Sequence, residues 1–69
     1  MSTSAIRIGI DIGGTFTDFV LQNADQYFTH KLLTTHQAPE QAIMDGLQSI
    51  LSQAGCRPEE VGLIIHGTT

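Results

Sequence analysis

Aliphatic residues recur at every second position from Ile6 to Ile12, with Arg7, Gly9 and Asp11 between them. A period of two predicts a strand that gathers Ile6, Ile8, Ile10 and Ile12 on one face. Gly13-Gly14-Thr15 interrupts the pattern as a turn, and an extended stretch resumes over about 16–22 through Phe19, Val20 and Leu21, which predicts a hairpin. Asn23-Ala24-Asp25 is a second turn by composition, and Tyr27, Phe28, Leu32 and Leu33 support a third strand over 26–34. Three consecutive strands make a meander.

The period then changes. Ile43, Leu47, Ile50, Leu51 and Ala54 fall on one helical face, with Pro39 where a first helical residue tolerates proline, so a helix is expected over 39–54. Gly55 suits a left-handed C-terminal cap, whereas Ala38 is a poor N-cap. Gly46, inside the helix, costs on the order of 1 kcal/mol relative to alanine, which marks a place of close packing. Such a helix draws its stability from laying its apolar face on a sheet. Pro58-Glu59-Glu60 suggests one further helical turn, its acids favoured by the dipole, and Val61 to His66 reads as a fourth strand centred on 62–66. The order β-β-β-α-β places the chain in the α/β class.

Sixty-nine residues form one small domain at most, and a core of that size supplies only about 3–5 kcal/mol without staples. Cys56 is the one cysteine, and His30, His36 and His66 have no metal-ligand spacing. The chain is therefore expected to be an incomplete fragment of a larger domain. A net charge of -4, with Arg7, Lys31 and Arg57 as the cations, provides no basic stripe for a nucleic-acid backbone. No apolar run approaches the roughly 18 residues of a membrane span. The single cysteine and the absence of an export pattern in residues 1–5 point to the cytoplasm.

The candidate chemistry lies in Asp11-Ile12-Gly13-Gly14-Thr15-Phe16-Thr17-Asp18. A phosphate chain is gripped by backbone N–H groups converging on a small volume, and the positive φ angles open to Gly13 and Gly14 permit that. Thr15 and Thr17 add hydroxyls for phosphate oxygens, and Asp11 can hold magnesium directly or through its water shell. Asp18 offers a second carboxylate, which could equally cap the hairpin or pair with a cation. Two acids beside a polyanion repel it unless a divalent cation lies between, so magnesium is the expected companion of a bound nucleotide. The plainer reading is a Gly-Gly hairpin turn, but a hairpin alone requires neither the preceding acid nor the following Thr-Phe-Thr-Asp. There is no Gly-Lys-Ser/Thr of a Walker loop, and a strand rather than a helix follows, unlike a dinucleotide fingerprint.

The octet is similar to the first phosphate loop of the actin, sugar-kinase and heat-shock ATPase superfamily. With Lys31-Leu32-Leu33-Thr34-Thr35 and Ile65-His66-Gly67-Thr68-Thr69 added, the chain resembles the start of hydantoinase A, the family of N-methylhydantoinase and 5-oxoprolinase. The resemblance implies the amino-terminal β-β-β-α-β part of an actin-like, ribonuclease H-like ATPase domain. It also implies an enzyme that uses ATP and Mg2+ to open a cyclic amide such as a hydantoin or 5-oxoproline. Gly13, Gly14, Thr15 and Thr17 would then cradle the terminal phosphates, joined by Gly67 and Thr68, and Asp11 would organise the magnesium in the catalytic centre. A hydantoinase B-type subunit, or a fused equivalent, is the implied partner. Ala38 departs from the acidic or polar cap more usual there.

Other readings of the same loop are an ATP-dependent ketone carboxylase subunit, a sugar kinase or sugar-responsive repressor, and a non-catalytic nucleotide-binding module. His66 sits at the carboxyl end of a strand, where open α/β sheets place ligand crevices, though a structurally satisfied side chain is the plainer alternative. His30 and His36 read as solvated surface groups, Cys56 as structural or incidental, and Phe19, Tyr27 and Phe28 as core or interface. The 69 residues alone are expected to release no phosphate from ATP in a coupled assay, since a cleft needs a second phosphate loop and an adenosine pocket.

Overall fold

A computed structural model of the chain describes residues 6–35 and 37–68, with the backbone alone for Leu63, His66 and Thr68. Its elements are β1 (Ile6–Ile12), β2 (Phe16–Asn23), β3 (Gln26–Leu33), α1 (Pro39–Ala54), a 3-10 turn at Pro58–Glu60, and β4 (Val61–Thr68). They form one mixed sheet in the order β3-β2-β1-β4. The meander β1-β2-β3 is antiparallel, and α1 carries the chain back so that β4 runs parallel to β1. A parallel neighbour requires such a crossover, whereas the meander closes through tight turns.

The alternation in β1 does what its period implies. Ile6, Ile8 and Ile10 are buried, together with Phe19 and Leu21 of β2 and Ile50 and Leu51 of α1. Each large apolar side chain so covered contributes roughly 1.5–3 kcal/mol. Arg7, Gly9 and Asp11 point to the opposite face, which carries no helix among the described residues.

The helix is rotated from the face that its large apolar residues suggest. Ala42, Gly46, Ile50 and Leu51 are its buried positions, while Ile43, Leu47 and Ala54 are only partly covered. The reason is Gly46: a Cβ there would collide with the ring of Phe19, which is fully buried. The bare backbone of Gly46 admits that ring, and α1 settles over β2 and β3. Between α1 and β4 it leaves an apolar groove of about 190 Å3 bordered by Ile8, Met44, Leu51 and Ile64.

The ends of the elements follow local rules. Ala38 makes no side-chain cap, and Pro39 occupies the first turn. Gly55 takes φ 72° and donates its N–H to Ser52 O, while the Cys56 N–H reaches Leu51 O, which is the Schellman arrangement. Glu60 turns back to accept the Arg57 N–H at 2.7 Å and so caps the 3-10 turn. The second hairpin turns at Ala24 and Asp25, with Ala24 at φ 55°, a conformation that composition would assign to glycine or asparagine.

Replacing Gly46 by alanine should destabilise the intact protein although it improves helix propensity. Overpacking against Phe19 costs roughly 1–3 kcal/mol, set against about 1 kcal/mol of propensity gained. A thermal melt of Gly46→Ala should show a lower midpoint, and a raised midpoint would mean that the ring yields freely.

Candidate functional site at the first hairpin

Strand pairing decides which residues meet. Ile10 lies opposite Phe19 and Ile12 opposite Thr17, on the face that α1 covers. Asp11 lies opposite Asp18 on one side and opposite Gly67 on the other, so all three share the open face. The carboxyl ends of the parallel strands β1 and β4 thus bring together two motifs more than fifty positions apart, Asp11 and Gly67. A Cβ at Gly67 would meet nothing within 4 Å among the described residues. Thr68 pairs with Ile12 along the backbone; its side chain, that of His66, and all of His36 and Thr69 lie outside the described residues.

The two carboxylates are not equivalent. Lys31, opposite Asp18 on β3, places Nζ 2.9 Å from Asp18 Oδ1 and 4.9 Å from the centre of the Phe16 ring. This pair is exposed and worth at most about 1 kcal/mol, yet it settles the choice left open for Asp18: it pairs with a cation. Asp11 is exposed and forms no ion pair among the described residues. Like charges facing each other across two strands disfavour one another, so Lys31 also relieves the Asp11–Asp18 repulsion. One or two carboxylates with the balance of ligands from phosphates and water is how magnesium is usually held, and the donor set fits that description. No cluster of three or more metal-binding side chains occurs among the described residues.

The bend itself departs from expectation. Among the described residues, the glycine with a positive φ is Gly55, so the Gly13-Gly14 turn does not rely on left-handed backbone. The Gly13 N–H donates to Phe16 O at 2.9 Å, which commits that amide to closing the hairpin. Gly14 and Thr15 form its exposed tip, and a Cβ at Gly14 would meet nothing within 4 Å. Neither conformation nor packing within these residues demands glycine at position 14.

Thr17 also has a different task from the phosphate contact expected of it. It is 2% exposed, beneath α1's face of the sheet, and its Oγ1 lies 2.9 Å from Thr34 Oγ1. The Thr34 hydroxyl donates to Gly13 O at 2.8 Å. A hydroxyl carries a single proton, so Thr34 accepts from Thr17 and the bonds run Thr17 to Thr34 to Gly13. With its proton so committed, Thr17 has none to offer a phosphate oxygen, and it serves as a brace beneath the bend.

Thr34 thus enters the site although the sequence alone assigns it no role. The register holds a signal: with Phe16 opposite Leu33, the next residue of that strand falls beside Thr15. Its N–H indeed donates to Thr15 O at 2.8 Å. His30 is a second correction. It stands opposite Phe19 on the covered face, its ring 6.1 Å from the phenyl ring, and its buried Nε2 meets no hydrogen-bond partner among the described residues. Strand alternation, which puts Lys31 outward, necessarily puts His30 inward. Cys56 is a half-buried free thiol near Asn23, whose Nδ2 lies 3.7 Å from Sγ. Of the aromatics expected in the core or an interface, Phe19 is core, Phe28 flanks it, and Tyr27 is exposed.

The sheet order, the single crossover helix and the acid-bordered hairpin together define an α/β domain whose polar corner lies at the carboxyl ends of β1 and β4. The chain belongs to the hydantoinase/oxoprolinase family, matching the model of the hydantoinase/oxoprolinase N-terminal region over residues 7–69. It is 41% identical over 76 residues to the caprolactamase subunit alpha of Pseudomonas jessenii, an alignment covering 100% of this chain and 11% of that protein. It is 32% identical over 65 residues to an uncharacterized protein of Methanocaldococcus jannaschii, covering 91% of this chain and 9% of the relative. The chain therefore spans about a tenth of the length of these relatives. Among the described residues, no helix is long and apolar enough to cross a membrane.

The asymmetry between the carboxylates can be measured in the intact protein. If Asp11 organises the cation, Asp11→Asn should raise the magnesium concentration for half-maximal turnover by about ten-fold or more. Asp18→Asn should shift it by less than about three-fold, since Lys31 already engages that carboxylate. A larger effect from Asp18→Asn would reverse the assignment.

Proposed function

We propose that this chain is the first phosphate-binding segment of an ATP-dependent enzyme that opens cyclic amides. The supporting observation is the family match over nearly all of its length, combined with a double-glycine hairpin placed beside Asp11 and Gly67. In this reading the exposed Gly14-Thr15 tip approaches the terminal phosphates, and the space above Gly67 accommodates them. Gly13 contributes by closing the bend, and Thr17 by bracing it. Asp11 positions magnesium, either directly or through water, at the open face. Thr68 would approach the same phosphates from β4.

The chemistry is transfer of the terminal phosphoryl group of ATP to the amide oxygen, with ADP leaving. Water then adds to the activated carbon, the ring C–N bond breaks with a proton going to nitrogen, and a second water cleaves the acyl phosphate so formed to carboxylate and phosphate. Such a transfer depends on positioning and on charge neutralisation, and a metal-bordered loop of backbone dipoles is suited to both. The name of the Pseudomonas relative, a caprolactamase, favours a cyclic amide over a ketone or a hexose as substrate. Its designation as a subunit alpha favours a second subunit of hydantoinase B type, or a fused equivalent, as partner.

The test is phosphate release by the intact protein, with any companion subunit, on caprolactam, hydantoins, 5-oxoproline, ketones with bicarbonate, and hexoses. Release coupled to ring opening of a cyclic amide, lost on magnesium chelation, is the expected result. Turnover on hexose alone, or only on ketone with bicarbonate, would replace this reading with a kinase or a carboxylase.

A further inference from the structure

Strand pairing lines up a row of four residues across the open face: Gly67 on β4, Asp11 on β1, Asp18 on β2 and Lys31 on β3. Directly opposed residues of an antiparallel pair hold their Cβ atoms about 4.5–5.5 Å apart, a separation at which two carboxylates can share one divalent cation. Asp11 and Asp18 are so placed, yet Lys31 already stands in the row. Its Nζ lies 2.9 Å from Asp18 Oδ1 and 4.9 Å from the centre of the Phe16 ring. Two partners, a carboxylate and an aromatic face, thus fix an otherwise flexible side chain. A divalent ion reaching for the remaining oxygen of Asp18 would stand within a few ångströms of that positive charge. Nothing nearby offsets it: the next charged strand residue of the open face among the described residues, Arg7, is four positions along β1, about 13 Å away.

We propose that Lys31 is a positioning residue that keeps Asp18 out of metal coordination, so that Asp11 alone faces the cation and a divalent ion is held only together with phosphate oxygens. This rests on the reading of Asp11 as the group that organises magnesium. A single carboxylate is a poor host for Mg2+, which keeps several waters and takes its remaining ligands from substrate phosphates. Metal and nucleotide therefore enter as one complex. Before they arrive, the ammonium of Lys31 serves as the counter-ion of the acidic row. Removing it would leave two facing carboxylates, a metal site that needs no nucleotide.

The experiment titrates the intact protein with Mn2+ alone, following free Mn2+ by electron paramagnetic resonance, and repeats the titration with ATP present. Asp11→Asn serves to subtract sites elsewhere in the protein. Without nucleotide, Lys31→Met should bind Mn2+ at the Asp11–Asp18 pair about ten-fold or more tightly than the wild type, the scale of one unit charge a few ångströms from a divalent ion in water. Lys31→Arg keeps the charge and should stay within about two-fold of the wild type, and the Asp18→Asn/Lys31→Met pair should lose the gain. The factor by which ATP tightens Mn2+ should be smaller in Lys31→Met than in the wild type, because the metal no longer depends on phosphates. Wild-type Mn2+ affinity in a folded Lys31→Met protein overturns the proposal, as does a gain that Lys31→Arg shares or that survives in the double variant. A wild-type protein that binds Mn2+ at Asp11 as tightly without ATP as with it overturns it too. Should Lys31→Met fail to fold, Lys31→Gln takes its place with the same expectations. These results leave the phosphate-loop reading standing so long as ATP binds; a wild-type protein that binds no ATP, with or without Mn2+, removes that reading and the proposal with it.

Discussion

The contact between the Phe19 ring and the bare backbone of Gly46 determines how the rest of the molecule is arranged. It seats α1 over β2 and β3 and thereby declares one face of the sheet to be the inside. In a regular strand successive side chains alternate between faces, so burying Phe19 sends Asp18 outward, and burying Ile10 sends Asp11 outward. The pairing of β1 with β4 then sets Gly67 beside Asp11. A one-residue slip in any of these registers would put carboxylates under the helix and isoleucines in solvent. The polar corner is thus a by-product of apolar packing a few ångströms away.

That dependence explains what could be read from the residues. Period two in Ile6 to Ile12 and the helical spacing from Pro39 to Ala54 are strong signals, and the order β-β-β-α-β follows from them. The extra length of β4, Val61–Thr68, was not visible, since Gly67 and Thr68 gain strand geometry only by pairing with β1. The rotation of α1 was also hidden: spacing favours the large residues Ile43 and Leu47, whereas the deciding position, Gly46, contributes by having no side chain. Ala24 at positive φ defied composition because a two-residue hairpin imposes its own twist on whichever residue occupies it.

The candidate site shows a similar division. Residue types at the bend suggest a chemistry, but not which hydroxyl faces which way. Thr15 and Thr17 look interchangeable in sequence, yet one lies at an exposed tip and the other beneath a helix. Counting residues along β2 separates them only once Phe19 is known to be core. Thr34 is twenty-one positions from Gly13 in sequence and in hydrogen-bond contact with it, a relation that exists through the meander and not through any local motif. Family membership comes from the sequence match, while the pattern of bonds within the bend comes from hydrogen-bond geometry.

The meander has one more consequence, for the order in which the parts assemble. Every bond of the Thr17-Thr34-Gly13 brace joins residues between positions 13 and 34, all reached through two tight turns. Loop-closure entropy grows only slowly with length, but it must be met before a distant strand is rewarded by its pairing. β4 requires the crossover through α1 and a separation of more than fifty residues from β1. The bend can therefore begin to close within the first three dozen or so residues, whereas the corner that includes Gly67 is complete only when β4 pairs with β1.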